Sequence, residues 1–226
     1  MKRGDNTFAV FDIDGTVVRN FSFGAEFIYK IVQTYGLPKD KELSNIAMQK
    51  WHKAEQHKQQ NIFDTSLRPY YRQYLPNLTK PQIELAGNEV SEMSLKYITP
   101  AMRDLIIKHK QQGLKLFAVS YSPEITLIKL LKQLGFDDWW APQMLFDSSN
   151  HYLPRSKDNQ IIWDKKQHLL DLCDKHKLTL KGSYGYGDNI NDKPMLDIVE
   201  NPIAINPDRL LYKEATKRGW YIINAS

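Results

Sequence analysis

The chain has 226 residues, room for one ordinary domain or for a core with a smaller insert. Its 42% apolar and 12% aromatic content supplies a sizeable core and excludes a disordered chain, while no apolar run approaches the ~20 residues that span a bilayer. A formal charge of +5, without any dense Lys/Arg run, excludes a nucleic-acid footprint and suits attraction of small anions.

The first element is an apolar run, Phe8 to Phe11, with the length and content of a buried strand. It ends in Asp12 and Asp14, followed by the breaker Gly15 and Thr16. Open α/β sheets bind ligands outside the carboxyl ends of their strands, and two acids there call for a hard cation such as Mg²⁺. A solvated Asp-rich turn has the same local composition. From residue 21 to 96 the spacing is helical, with turn breaks near Gly36-Leu37-Pro38 and Leu75-Pro76-Asn77, and no strand-like alternation. This predicts a helical insert placed directly after the first strand. Its basic-aromatic stretches, Gln49 to Lys58 and Arg68 to Tyr74, read as helix faces, with a site for a nucleotide or anionic ligand as the alternative. His52 and His57, five apart, do not share a face as metal ligands do.

After residue 98, strand and helix signals alternate. Thr99 caps, Pro100 starts and Gly113 stops one helix; Ser122 caps, Pro123 starts and Gly135 stops the next. Between them the strand Leu114 to Val119 runs into Ser120-Tyr121-Ser122. Its terminal hydroxyl and free N–H groups suit a phosphate, as does the dipole of a helix begun by Pro123. Lys165 and Lys166 both open a further helix. Counted from Lys165, Leu169 and Leu172 fall at +4 and +7 on one face, so Lys165 is the preferred site lysine and Lys166 the alternative. Cys173, on the same helix, is the only cysteine: it excludes an intrachain disulfide, reads as a buried structural thiol and, with no apolar stretch near Met1, gives the expectation of a cytoplasmic chain. A further strand, Tyr184 to Tyr186, ends in Gly187-Asp188, with Asn191 and Asp192 close behind. Strands at Pro202 to Ile205 and Trp220 to Ile223 complete a parallel sheet with helices on both faces. Two strand ends carrying acids, far apart in sequence, are hard to explain as coincidental turns.

Asp12-Ile13-Asp14-Gly15-Thr16, Ser120, a lysine near 165 and Gly187-Asp188-Asn189-Ile190-Asn191-Asp192 together resemble the four ordered motifs of the haloacid-dehalogenase superfamily. The nearest likeness is to its phosphoserine-phosphatase-like subgroup, and the tail from Ala204 to Trp220 is similar to endings found there. The resemblance implies an α/β, Rossmann-like core over residues 1–20 and 97–226, with a helical cap over 21–96. It implies Mg²⁺ held by Asp12, Asp188 and the backbone carbonyl of Asp14. Asp12 would be the nucleophile and Asp14 the general acid and base. Ser120, Tyr121, Lys165 and Asn191 would bind the phosphoryl group of a small phosphorylated metabolite, with Asn191 and Asp192 supporting the metal's waters or the phosphate. No nucleic-acid or membrane partner is implied. The acid at Asp14 separates this chain from dehalogenases, which protonate no alkoxide. A phosphotransferase or mutase would keep the same residues, and a low-turnover phosphate-binding module is the reading from another class. Phosphoserine is disfavoured as substrate because Val17 to Gly24 (VVRNFSFG) carries no acid to hold an amino group; Arg19 instead brings positive charge to the entrance.

Overall fold

The computed structural model describes residues 6–36, 39–42, 45–46, 49, 74–154 and 162–224. Its centre is a six-stranded parallel sheet. In chain order the strands are β1 (Phe8–Phe11), β2 (Lys115–Val119), β3 (Asp138–Trp140), β6 (Tyr184–Gly187), β7 (Asn201–Ile205) and β8 (Tyr221–Ile223). In space the order is β3-β2-β1-β6-β7-β8. A two-stranded hairpin, β4 (Leu145–Phe146) and β5 (Tyr152–Leu153), lies outside the sheet.

β1 is therefore central, with Ala9 opposite Leu116 on one side and Tyr184 on the other. The chain leaves β1 towards β2 and β3, then returns to the far side of β1 through β6. Such a reversal opens a crevice at the carboxyl ends of the strands on either side of it. All four β1 residues are buried because both sheet faces are covered. The alternation of side chains then assigns Ala9, Phe11, Leu116 and Ala118 to one apolar cluster and Phe8, Val10, Phe117 and Val119 to the other.

The first face is covered by α1 (Phe23–Tyr35), α2 (Lys80–Ser94), α3 (Pro100–Gln111) and α4 (Ile128–Leu134), which contribute Phe27, Ile31, Ile83, Val90, Ile106 and Leu131. The second is covered by α5 (Lys165–His176), the short α6 (Lys193–Leu196) and α7 (Arg209–Arg218) through Leu169, Leu172, Met195 and Leu211. Cys173 belongs to this second cluster, where burial pushes its thiol up to about 11, an inert structural setting.

Between β1 and β2 the described residues form helices and 3₁₀ turns and no sheet strand. Ser22 caps α1 by accepting from the Ala25 N–H at 3.4 Å, and Thr79 and Gln82 form a capping box on α2. The two helices pack on each other, with Lys30 and Glu89 paired at 2.6 Å. α2 also packs on the turn Glu124–Thr126 and on α4. There the Ser91 hydroxyl oxygen accepts from the Leu130 N–H at 2.8 Å. Gly87 makes this approach possible, since a Cβ at that position would lie 2.7 Å from the Ile125 carbonyl oxygen.

Two features depart from the sequence reading. β3 and the β4–β5 hairpin were not expected; they are two or three residues long, too short to show a period. The helix expected from Pro123 does not start there. Pro123 is extended (φ −55°, ψ 127°), a 3₁₀ turn follows over Glu124–Thr126, and α4 begins only at Ile128. The Ser122 hydroxyl, read as its cap, is engaged elsewhere, so the expected helix dipole at the end of β2 is absent. By contrast, Thr99 caps α3 as its position suggested, accepting from the Met102 N–H at 3.3 Å.

The stretch Gln49 to Lys58 lies outside the described residues apart from Gln49, and Arg68 to Tyr74 apart from Tyr74. His52 and His57 lie outside them too.

Candidate active site

Asp12 extends β1 by one residue: its N–H donates to the Tyr186 carbonyl at 2.9 Å, which fixes its backbone against β6. The chain then reverses. The Gly15 N–H donates to the Val18 carbonyl at 2.8 Å, and Gly15 itself has φ +84°. A Cβ there would overlap the Asp188 carboxylate, so glycine is required both by conformation and by space. The turn delivers the Thr16 hydroxyl to Asp188 Oδ1 at 3.0 Å, tying the end of β1 to the end of β6.

At the end of β6 a second tight turn forms. Both the Asp188 and Asn189 N–H groups donate to Asp192 Oδ2 at 2.9 Å. Asp192 is 1% exposed, and its Oδ1 receives the Lys165 ammonium at 2.6 Å. The same ammonium donates to Asp12 Oδ1 at 2.5 Å. Lys165 is the first residue of α5, whose cap, Asp164, accepts from the N–H groups of Lys166 and Gln167. This start of the helix turns Lys165 inward, where it is 3% exposed, and leaves Lys166 outward and exposed. Of the two candidates, Lys165 reaches the cluster.

At the end of β2, Ser120 is buried and its Oγ accepts from the Ser122 N–H at 3.1 Å. Its own O–H remains available to donate. Tyr121 lies with its ring 4.9 Å from Lys165 Nζ and edge-on to Trp163 and Trp140. Asp14 is held at both oxygens: its Oδ1 accepts from the Phe23 N–H at 3.1 Å and its Oδ2 from the Ser122 hydroxyl at 2.5 Å. Asn191 is exposed, and only its backbone N–H is engaged, by the Asn189 side chain. Among the described residues no hydrogen bond joins the Asn191 side chain to the acids.

The structure thus brings Asp12, Asp188, Asp192 and Lys165 together, with Asp14, Ser120 and Tyr121 beside them. Carboxylate oxygens of Asp12, Asp188 and Asp192 lie within 4.8 Å of one another. The metal set read from sequence named the backbone carbonyl of Asp14, not its carboxylate, which is engaged by Ser122 and Phe23. Asp192 in turn has both oxygens committed, to Lys165 and to two N–H groups. The second oxygens of Asp12 and Asp188 carry no bond among the described residues, which makes them the open donors. One ammonium against three packed carboxylates leaves a local excess of negative charge, and hard oxygen donors of this kind fit a Mg²⁺-like ion. Two contacts escaped the sequence reading. Ser122 was taken only as a helix cap, and Asp192 was not paired with Lys165; neither partner is local in sequence.

The electrostatics follow from burial. Burial pushes the Asp12 carboxyl up to about 7, opposed by Lys165 and reinforced by Asp192. Burial likewise lifts Asp14 to about 6, against the pull of its bonds from Ser122 and Phe23. Asp188 is held well above the usual carboxylate range by burial and then by Asp12 and Asp192. For Lys165 burial acts downwards, yet the Asp12 and Asp192 carboxylates outweigh it and hold the ammonium charged. Perturbed acids converging on a crevice are the pattern expected of a reaction centre.

The sequence matches the family profile of haloacid dehalogenase-like hydrolases over residues 9–197. The chain belongs to that family. It is a hydrolase, and several of its relatives are phosphatases by name. It is 25% identical over 221 residues to a histidinol-phosphatase of Neisseria meningitidis serogroup C, covering 96% of this chain and 97% of that protein. A probable phosphatase of Mycobacterium tuberculosis is 30% identical over 146 residues, 61% of this chain and 49% of that protein, so the match spans about half that relative's length. Among solved structures, a protein of unknown function from Bordetella pertussis Tohama I superposes with a TM-score of 0.76 at 18% identity, over 97% of this chain and 98% of that one. A substrate-bound phosphoserine phosphatase gives 0.60 at 21% identity, over 99% and 95%. These two likenesses concern the fold. No helix among the described residues is long and apolar enough to cross a membrane.

Proposed function

We propose that the protein is a Mg²⁺-dependent phosphatase that hydrolyses a small phosphate monoester through an aspartyl phosphate on Asp12. The observation that carries this is the buried Lys165 clamp, which holds Asp12 at the sheet crevice beside Asp188 and Asp192. Asp12 and Asp188, with the Asp14 carbonyl by family likeness, would hold Mg²⁺, which supplies the positive charge that lets an anion approach a phosphoryl group.

An Asp12 oxygen attacks phosphorus as the ester P–O bond breaks, and the bond's electron pair leaves with the alcohol oxygen. That oxygen takes a proton from the Asp14 carboxyl. Water then attacks phosphorus, gives its proton to Asp14, and the pair of the Asp12–phosphorus bond returns to the carboxylate. Ser120 donates its O–H to a phosphoryl oxygen, and Lys165 offsets charge there while keeping Asp12 in line. Tyr121 borders the same position. Residues 21–96 act as the cap that selects the leaving group, over a core formed by 1–20 and 97–226.

A phosphorylated small metabolite is the substrate class. Histidinol phosphate is the first candidate to assay, because the similarity to the meningococcal histidinol-phosphatase runs the length of both chains. The test is turnover of 4-nitrophenyl phosphate and histidinol phosphate, with Mg²⁺ and with excess chelator. Wild-type protein should turn over both and stop in chelator. Asp12→Asn should keep the fold and lose turnover, and acid-quenched wild-type protein should carry one phosphoryl group on the peptide containing Asp12. Sustained activity of Asp12→Asn would overturn the assignment.

A further inference from the structure

Ser122 has no role in the chemistry given above. It sits two residues beyond Ser120, and the helix it would cap does not begin there. Its hydroxyl instead donates to Asp14 Oδ2 at 2.5 Å, across 108 positions of sequence. Its backbone N–H donates to Ser120 Oγ at 3.1 Å. One residue thus touches both the group that grips phosphate and the group that moves the proton, through two different atoms.

The other Asp14 oxygen is held by the Phe23 N–H at 3.1 Å, the first residue of α1. With one bond on each oxygen, rotation of the carboxyl about its Cβ–Cγ bond is blocked from both sides. Each oxygen keeps a second lone pair for the proton in transit. The loop bearing Ser122 is itself fixed. The Ser120 N–H donates to the Trp140 carbonyl at 3.0 Å, the Glu124 N–H to the Pro142 carbonyl at 3.0 Å, and Gly87 of α2 packs against the Ile125 carbonyl. A hydroxyl on a loop pinned at three points is a rigid post.

We infer that Ser122 is a positioning residue for Asp14: its hydroxyl holds the carboxyl in the orientation that delivers a proton to the departing ester oxygen. The inference rests on the phosphatase reading. In the step it serves, the P–O bond breaks, its electron pair passes to the leaving oxygen, and the Asp14 proton follows it. An alkoxide is a strong base and needs that proton, whereas 4-nitrophenolate is a stable anion and leaves without it. Loss of positioning must therefore weigh on alkyl esters and spare the aryl ester.

The experiment compares kcat/KM for an alkyl phosphate and for 4-nitrophenyl phosphate in wild type, Ser122→Ala and Ser122→Thr, with unfolding midpoints for all three. kcat/KM is chosen because it reports the steps through the first P–O cleavage only. General acid catalysis is worth ~10²–10⁴-fold, so a misdirected acid in Ser122→Ala should lower kcat/KM for the alkyl ester by about 10–100-fold. The aryl ester should change by less than about threefold, because the backbone N–H that supports Ser120 survives the substitution. Ser122→Thr, which keeps the hydroxyl, should recover most of the alkyl activity. Equal losses on both esters, no loss on either, or failure of threonine to rescue would overturn the inference. Wild-type protein that turns over neither ester in Mg²⁺ would overturn the phosphatase reading itself, and the inference with it.

Discussion

Replacing Lys165 by methionine keeps the length of the side-chain stem and removes its charge from between two buried carboxylates. At an effective dielectric constant near 20, contacts at 2.5 and 2.6 Å each represent roughly 6–7 kcal/mol of attraction. Desolvation of the three ions takes back much of this, so deletion of one partner from a buried pair is the relevant comparison, at about 3–5 kcal/mol. That loss is a large part of the ~5–15 kcal/mol by which domains are stable, yet it leaves a foldable protein. The pH dependence is the sharper signature. Asp12 lies at about 7 with Lys165 beside it. Without the ammonium its carboxyl rises further and keeps its proton to higher pH, whereas at about pH 5 it is protonated in both proteins. From about pH 7 upward the variant's native state then binds more protons than the wild-type native state, so its stability falls more steeply as pH rises there. Urea unfolding in chelator should show the full loss at about pH 8 and roughly half of it at about pH 5. A loss that is the same at both values, or below about 1 kcal/mol at the higher one, would refute the account of Lys165 as the counter-charge of this cluster.

Two other outcomes follow from the same geometry. In chelator, wild-type melting temperature should rise as pH is lowered from about 8 to 5, because the folded values of Asp12 and Asp14, about 7 and about 6, lie above their ordinary 3.8. Their favourable contribution is complete below the unfolded value and is lost as pH climbs through 6 to 7; Mg²⁺ should accordingly stabilise more at pH 8 than at pH 5, and a flat profile would contradict this. Gly15→Ala should cost about 1–3 kcal/mol from its left-handed backbone alone. It should also abolish the Mg²⁺-dependent rise in melting temperature, since the new methyl group displaces Asp188, and an unchanged rise would show that Asp188 is no ligand.

The parallel sheet was legible because its central strands are short, almost wholly buried and closed by strong breakers, so Phe8–Phe11 and Lys115–Val119 announce themselves by composition. The apolar positions four and seven beyond Lys165 marked its inward face for the same reason: Leu169 and Leu172 had to meet the sheet. β3 was not legible. Three half-buried residues opened by Asp138 carry no pattern, and the pairing of that acid with Lys175 and His176 appears only when α5 is in place. Ser122 shows the limit most plainly. The cap rule is local, and a serine before a proline obeys it; here Asp14, remote in sequence, claims the hydroxyl, and the helix starts a turn later.

The two bonds on Asp14 differ in what a substitution does to them. Ser122 acts through its side chain, so its contribution can be deleted by one codon. Phe23 acts through its N–H, which every residue but proline supplies, so that bond depends on the path of the chain and hardly on the residue. Phe23 also lies two residues inside the segment proposed as the cap, 21–96. Chimeras that exchange inserts between relatives therefore have a defined upstream junction: a graft joined after the first turn of α1 inherits the bond to Asp14. One joined within Phe21-Ser22-Phe23 must rebuild it, however well its own helices fold.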